Sequence, residues 1–401
     1  MMLAVRVFAT LCALTAVAHA EPTTTPITDR DYRIDLYDGV PLGNSATIAM
    51  GGASEANAAG SSGTLVNASA SAVRQTTDND SWSWDYHLDY LNAGLSHDYT
   101  NSGLTTTTTG GYETFTLGGS VRVRDWAGAV TLSDQSAPLV GAMVTLPNGS
   151  TSDIDASTWR VKVAVAKWFA RIDTAVGMDI QLAQLRISPD CSGPGCTELF
   201  GIQGAGLEAG ATWIPSNQSF RLALSGSTPI EGGQVTASNC DPASCQGYIL
   251  PDEVYVPWRV VAGGAYRFAG SAWNHQVKST FRDERAVTVV ADLVLTGDSP
   301  DSYGLEAFGL HELERSGRHL AWSPRAGAEY EWLPGRLRVR GGSYWEPARF
   351  DGVPGRVHGT FGIEVRVFEF HAWGLRRGRI TLTGDLASGY DNLALSIGFW
   401  H

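Results

Sequence analysis

Hydrophobic and polar residues alternate along most of the chain from about residue 81 onward. In one such segment Phe115, Leu117, Val121 and Val123 share one parity, and Arg122 lies on the other. The segments are about ten residues long, which is the length that a tilted strand needs to cross the hydrocarbon layer of a membrane. The alternation therefore predicts β-strands with one apolar face and one charged face.

Fourteen segments carry this pattern, and the connectors between them mostly alternate between long and short. The predicted strands cover residues 82–96, 114–124, 126–136, 158–167, 171–187, 198–213, 219–227, 255–268, 284–296, 319–332, 336–346, 358–370, 377–385 and 391–400. The long connectors include residues 97–113, 137–157, 228–254 and 297–318. Because outer-membrane barrels have short periplasmic turns and longer external loops, the pattern predicts an all-β fold, a 14-stranded antiparallel transmembrane β-barrel.

Aromatic residues near the predicted strand ends support a membrane location. They lie mostly on the apolar face, and they are Trp213, Trp258, Tyr266, Phe268, Tyr330 and Trp332. Such girdles mark the two interfaces between lipid and water. The last ten residues also alternate and end on aromatic side chains, as the terminal strands of outer-membrane barrels do, although His401 follows them. Alternation alone is equally typical of a soluble sandwich, so the connectors and the aromatic residues favour the barrel.

The first twenty residues have the features of an export signal. Arg6 supplies the positive charge, residues 7–17 are largely apolar, and Ala18-His19-Ala20 is a small-x-small cleavage site. This predicts a removable signal peptide over residues 1–20, with an N-terminal membrane anchor as the alternative. No later stretch reaches the roughly 18 apolar residues of a spanning helix.

Residues 21–80 differ from the rest of the chain because they are rich in Ala, Gly, Ser, Thr and Asn and lack clean alternation. We therefore predict a separate N-terminal segment over 21–80 and the barrel over 81–401. The net charge of −12 argues against a nucleic-acid partner.

Four cysteines follow the predicted signal peptide, in two polar stretches that read as loops, DCSGPGC and NCDPASC. An exported protein meets oxidising conditions, so disulfides are expected. Proximity favours the local pairs Cys191–Cys196 and Cys240–Cys245 among the three possible connectivities. A zinc site built from all four cysteines is the alternative, although its usual spacing is tighter and no histidine lies nearby.

Several short segments resemble FadL-type transporters of long-chain fatty acids. The residues Ala49-Met50-Gly51-Gly52-Ala53 and, further on, Asn67-Ala68-Ser69-Ala70 resemble a Met-Gly-Gly-Ala segment and an Asn-Pro-Ala segment of that family, with Ala68 in place of the proline. The segments Gly263-Gly264-Ala265-Tyr266-Arg267-Phe268 and Leu337-Arg338-Val339-Arg340-Gly341-Gly342 resemble strands of the family. Together these segments cover about a tenth of the chain, in the family's order.

The resemblance implies a barrel whose lumen is plugged by an N-terminal hatch, residues 21–80, that includes Met50, Gly51, Gly52 and Asn67. It implies passive uptake of hydrophobic compounds such as long-chain fatty acids, with a sideways exit through the wall. The implied partners are hydrophobic small molecules and the lipid and lipopolysaccharide around a monomer in the outer membrane; no cofactor is implied. Arginines on the lumen parity would meet a ligand carboxylate, with Arg338 and Arg340 as the first candidates and Arg259 and Arg160 as further ones.

The sequence carries no G-x-S-x-G, H-E-x-x-H or P-loop motif, and its histidines are scattered, so we predict no enzyme and no metal site. Two other functions stay open. A structural or adhesive barrel would lack a tunnel beside the hatch, and a soluble secreted sandwich or lectin would stay in solution without detergent.

Overall fold

The computed structural model describes residues 22–41, 43–73, 81–93, 98–104, 111–146, 149–191, 196–235, 237, 240–275, 281–371 and 375–399. The predicted signal peptide, residues 1–20, lies outside the described residues, as does His401.

The structure is built mainly from strands, with three short α-helices and one 3-10 helix among the described residues. The long strands are β3 (Trp82–Ala93), β4 (Tyr112–Val123), β5 (Trp126–Thr145), β6 (Thr151–Phe169), β7 (Thr174–Pro189), β8 (Phe200–Trp213), β9 (Phe220–Ser227), β12 (Arg259–Phe268), β13 (Val287–Thr296), β16 (Ala321–Leu333), β17 (Leu337–Glu346), β18 (Arg356–His371), β19 (Leu375–Ala387) and β20 (Tyr390–Phe399). The short strands are β1 (Thr24–Pro26), β2 (Arg33–Asp35), β10 (Ile230–Glu231), β11 (Glu253–Val256), β14 (Ser302–Tyr303) and β15 (Glu312–Ser316). The helices are α1 (Ser45–Ala49), α2 (Gly60–Thr64), the 3-10 helix (Ala68–Ala72) and α3 (Leu305–Gly309).

The fourteen long strands pair with their neighbours in antiparallel register and close into one barrel. The closure joins the first and last of them, with Leu88 of β3 opposite Ile397 of β20. Each predicted strand corresponds to one of these fourteen, so the predicted fold class is confirmed. By the rule of short periplasmic turns, the end of the barrel with the turns at 170–173 and 334–336 faces the periplasm.

The predicted long connector over residues 137–157 is wrong. Strand β5 runs on to Thr145 and β6 begins at Thr151, so these residues form most of a hairpin. Their inward side chains, including Leu139, Val144 and Ile154, are buried in an apolar core outside the lipid zone. This burial stabilises the strand pairing. The ladder is irregular between Leu139 and Met143, where Gly141 has a φ of 81°.

The outward face of the strands is apolar and exposed. Val121, Val163, Ile180, Leu224 and Ile363 each expose about half of their side-chain surface. A water-soluble protein rarely exposes so large a continuous apolar surface, whereas a transmembrane barrel turns it toward lipid. The predicted aromatic residues Trp213, Tyr266, Phe268, Tyr330 and Trp332 lie on this exposed face; Trp258 is partly buried instead.

The external end of the barrel carries a second folded layer, which we call the external cover. It is a six-stranded sheet in the order β1-β15-β14-β2-β11-β10, together with helix α3 and the loops around it. An apolar core beneath the sheet includes Ile34, Leu199, Tyr248 and Phe308. In the external loops Cys191 is bonded to Cys196, and Cys240 to Cys245. None of the described helices is long and apolar enough to span a membrane.

The N-terminal segment connects this cover to the lumen. Strand β2 lies inside the external sheet, where it pairs in parallel with β11 and with β14. Residues 36–41 then lead inward, and residues 44–73, which we call the inner hatch, fold against the strands from within. The segment predicted as a hatch therefore has an external part and a lumen part.

Candidate functional site

The first turn of the inner hatch is seated against glycines of the barrel wall. Helix α1 is capped by Asn44, whose side chain accepts a hydrogen bond from the Thr47 backbone N–H at 2.8 Å. Gly51 and Gly52 follow the helix with φ of 66° and 69°, which favours glycine. A Cβ at Gly327 or Gly342 of the wall would collide with the backbone of Met50. The Met-Gly-Gly turn and the wall glycines therefore allow a close backbone approach.

Asn67 organises the second half of the inner hatch. Its side-chain oxygen caps the 3-10 helix by accepting a hydrogen bond from the Ser69 N–H at 2.9 Å, and its amide donates to Glu55 at 2.8 Å. Wall residue Gly210 lies directly against its side chain, where a Cβ would not fit. The structure thus uses Asn67 to join two hatch segments and to hold them near strand β8.

Wall carboxylates accept hydrogen bonds from backbone N–H groups of the inner hatch. Asp292 of β13 accepts from Ser54 and Glu55 at 2.7 and 2.9 Å. Asp85 of β3 accepts from Ser61 at 2.9 Å. These strands lie on different sides of the barrel, so the inner hatch is tied across the lumen and these three backbone N–H groups have partners in the wall.

Arg338 and Arg340, the first candidates for ligand-facing bases, take part in a buried ion-pair network. Arg340 donates to Glu329 at 2.8 Å and to Glu364 at 2.9 Å. Arg338 donates to Glu364 at 3.4 Å, and Arg379 reaches the same carboxylate at 2.9 Å. Because neighbouring strands supply both charges, these two arginines already have protein carboxylates as partners.

The other two predicted bases lie closer to the external end. Arg160 of β6 forms an ion pair with Asp38 at 2.7 Å and lines a large cavity there. Arg259 begins β12 opposite Ser227 and Thr296, within electrostatic reach of Glu55. The structure therefore brings Arg338 and Arg340 together but separates Arg160 from them.

The external cavity is the largest of those described, at about 440 Å³. It lies between residues 36–40, the outer halves of β5 and β6, and the loops of the external cover. Its apolar lining includes Leu36, Val40, Leu104, Leu139, Leu310 and Phe350. Its volume and its lining, mostly apolar with a few charged groups, are those of a small-molecule site.

Three carboxyl groups lie close together beside this cavity. Burial, followed by the charge of Asp98, raises the pKa of Glu306 to about 7. Burial, followed by the charges of Glu306 and Asp98, raises the pKa of Glu314 to about 8. Burial also raises the pKa of Asp98, against the opposing charge of Arg356. At neutral pH the group therefore holds protons that exposed carboxyl groups would release.

We expect the external cover to become less stable as pH rises from about 5 to 9. Raised carboxyl pKa values mean that the folded cover binds more protons than its unfolded segment over this range, so each proton released costs stability. Hydrogen exchange of residues 302–316, corrected for the intrinsic exchange rate, would measure the change. Glu314→Gln should weaken the pH dependence, and Asp301→Asn, at an exposed carboxylate, should leave it intact. A cover equally protected at both pH values would contradict this expectation.

The fold and this lumen define a class: the chain is an outer-membrane β-barrel whose lumen is filled by an N-terminal hatch. No protein-family model matches the chain. No curated protein sequence matches it either.

Solved structures share this fold. The chain is similar to a FadL homologue of Pseudomonas aeruginosa, with a TM-score of 0.54 and 12% identity, over 90% of this chain and 98% of that one. It is similar to the P. putida toluene transporter TodX, with a TM-score of 0.55 and 12% identity over the same shares. The CymD monoaromatic hydrocarbon channel matches with a TM-score of 0.51 and 13% identity, again over 90% and 98%. At these identities the likeness establishes the fold.

Two features of the site were missed in the sequence. The strands β1 and β2 have three residues each, too few for alternation to show, so the external part of the N-terminal segment gave no signal. Arg221 of β9 follows the lumen parity of its strand, but nothing in the sequence distinguishes it from the paired arginines.

Proposed function

We propose that this protein lets hydrophobic compounds cross the outer membrane passively, with residues 21–80 as the hatch and residues 81–401 as the barrel. The single observation that carries the proposal is the apolar external cavity. A barrel that served only as a structural element would have no need for an apolar space of this size on its external side, lined by residues 36–40 of the N-terminal segment. The fold shared with a toluene transporter and a hydrocarbon channel supports the same function.

The cavity offers the first binding step on the way in. Its apolar walls release water when a hydrophobic compound enters, which is favourable at roughly 25 cal/mol for each Å² of apolar surface buried. Residues 36–40 form one wall and continue directly into the inner hatch, so an occupant would lie against the segment that leads to the plug. The apolar part of the cavity suits both the acyl chain of a long-chain fatty acid and an uncharged hydrocarbon.

Arg160 is the group that we assign to a ligand carboxylate. It lines the cavity and is paired with Asp38 of the N-terminal segment, whose side chain is about one quarter exposed. A fatty-acid carboxylate would replace Asp38 as the partner of Arg160. An uncharged hydrocarbon would leave the pair intact, so the two cargo classes differ in their need for Arg160.

The irregularity of β5 lies outside the lipid zone. It falls between Leu139 and Met143, beyond Trp159 and Asp134, which mark the outer end of the exposed apolar band. We therefore assign this irregularity to the entrance, where Leu139 lines the cavity. The sideways exit through the wall stays a prediction. The protein is expected to act as a monomer surrounded by lipid and lipopolysaccharide, and without an enzymatic step.

Leu310→Trp is expected to slow uptake by about tenfold, which corresponds to a barrier increase of about 1.4 kcal/mol. The indole would fill the cavity beside Leu305 and Leu139 without a new charge. Uptake of a fluorescent fatty acid and of toluene into proteoliposomes would measure the rate. Leu320→Trp is the matched control, because Leu320 is an exposed leucine of the external loops outside the cavity lining.

Comparing uptake of a fatty acid with uptake of toluene tests the role of Arg160 separately from the transport function. Arg160→Met should slow fatty-acid uptake and leave toluene uptake unchanged. If wild-type protein moved neither compound faster than protein-free liposomes do, the transport function would be wrong and a structural or adhesive role would be favoured.

A further inference from the structure

A second cavity, of about 160 Å³, lies in the periplasmic half of the lumen, between the inner hatch and the described residues of the connector from β12 to β13. We call it the lower chamber. The described residues that line it include six arginines: Arg221, Arg267, Arg282, Arg338, Arg340 and Arg379. They include three acidic residues, Asp283, Glu329 and Glu364, so the described lining carries more positive than negative groups.

The three acidic residues of the lower chamber already form ion pairs with arginines. Glu364 is shared by Arg338, Arg340 and Arg379, and Glu329 is bound by Arg340. Asp283 forms an ion pair with Arg377. Of the remaining arginines, Arg282 forms an ion pair with Glu284 at 3.0 Å, which leaves Arg221 and Arg267.

Arg221 is the most unusual of them, because it is only 4% exposed and makes no ion pair with any described residue. Its Nε donates to the Asn274 side-chain oxygen at 3.0 Å, and its guanidinium lies 3.9 Å from the centre of the Trp273 ring. No hydrogen bond from its two terminal nitrogens to a described residue is formed. Burying a charge without a counter-ion is costly, so an anion at this position would stabilise the folded protein.

Arg267 faces the same chamber and is also incompletely paired. Its nearest carboxylate oxygens, on Glu331 and Glu284, lie 3.7 and 3.9 Å away, beyond hydrogen-bonding distance. Neither its Nε nor its terminal nitrogens form a hydrogen bond with a described residue. Two guanidinium groups with available donors thus line one cavity.

Asn274, in the connector from β12 to β13, fixes the orientation of Arg221. The Asn274 amide donates to the backbone oxygens of Pro215 and Phe220, both at 3.0 Å, so the group that orients Arg221 is itself held in place. The same cavity is lined by the rings of Trp273, Phe281 and Phe399. Guanidinium donors beside aromatic rings suit a ligand with a planar apolar body and one anionic end.

We propose that the lower chamber binds a small aromatic carboxylate, which Arg221 and Arg267 hold by its carboxylate. The volume accommodates roughly ten water-sized positions, which is enough for a single-ring acid and too little for a long acyl chain. The site lies on the opposite side of the inner hatch from the external cavity, and it does not depend on the transport of hydrophobic compounds. It gives the protein a periplasmic-side receptor for the charged form of a small aromatic compound.

Isothermal titration of the purified full chain in a non-ionic detergent tests the proposal with benzoate as the probe. We expect saturable binding of benzoate at one site and none of benzamide, which has the same shape without the charge. Arg221→Met should weaken benzoate binding at least about tenfold, because it removes a buried charge-assisted contact. Arg318→Met, at an exposed external arginine, should leave binding unchanged.

A mobility shift on boiling confirms that each variant has kept its barrel. If Arg221→Met does not fold, the comparison of benzoate with benzamide on the wild-type protein decides alone. Equal binding of benzoate and benzamide, or no saturable benzoate binding by the wild-type protein, would overturn the proposal. Neither result bears on hydrocarbon uptake through the external cavity, which is measured separately.

Discussion

A chain without residues 21–80 is expected to let small solutes through a barrel that the intact protein keeps closed. The lumen of a fourteen-stranded barrel is too wide for its own side chains to fill, so the inner hatch must occupy it. Removing the hatch should raise the swelling rate of liposomes in a small sugar by about tenfold or more, as expected for an open barrel of this strand number. Liposomes with the intact chain should swell at nearly the rate of protein-free liposomes.

The deletion also removes β1 and β2 from the external cover, so a second variant separates the plug from the cover. Gly342→Trp places a large ring where the backbone of Met50 lies, and it should displace the first hatch turn while the cover stays in place. Gly359→Trp is the matched control, since Gly359 lies in the adjacent strand with open space around its Cβ position. If the deleted chain formed a heat-modifiable barrel but remained as tight as the intact protein, the hatch would not be the plug.

The fold was predictable from the sequence because lipid imposes a simple rule. Along β4 every second side chain meets hydrocarbon, so the alternation of Leu117 and Val121 with Arg122 survives in the sequence. This alternation rule does not apply to strand segments that extend beyond the lipid on the external side. The outer parts of β5 and β6 bury Ala142 and Val144 under the external cover, and the sequence there contains Ser, Ala and Pro as in a loop.

The candidate site was less predictable because strand parity gives the face of a residue but not its partners. Arg338 and Arg340 do face the lumen, but their pairing with Glu364 depends on the register of β17 with β18. Arg221 differs from these paired arginines because it contacts Trp273 and Asn274. These two residues lie in a connector more than 50 residues further along the chain. Likewise, Arg160 was selected for its parity, while its partner Asp38 comes from the N-terminal segment.

Arg349→Met is expected to destabilise the external cover by about 3–5 kcal/mol, the usual cost of removing one partner from a buried ion pair. Arg349 holds Asp35 of β2 at 2.9 Å, and both side chains are almost fully buried. The guanidinium also donates to the Gly297 backbone oxygen at 2.9 Å and to Ser299 at 3.0 Å. Without it, Asp35 would remain buried, and its donors among the described residues would be the side-chain hydroxyl groups of Ser299 and Ser316.

Hydrogen exchange of the β2 amides provides the measurement, because these amides pair with β11 and β14 at the centre of the external sheet. A loss of about 3 kcal/mol would speed their exchange by about a hundredfold, since 1.4 kcal/mol is a factor of ten. Arg318→Met is the matched control: its pair with Asp351 is exposed, so its removal should cost at most about 1 kcal/mol. The double variant Asp35→Asn with Arg349→Met should recover part of the protection, because it removes the stranded charge. Exchange in Arg349→Met at the rate of the Arg318→Met control would mean that the buried pair does not anchor the N-terminal segment to the external cover.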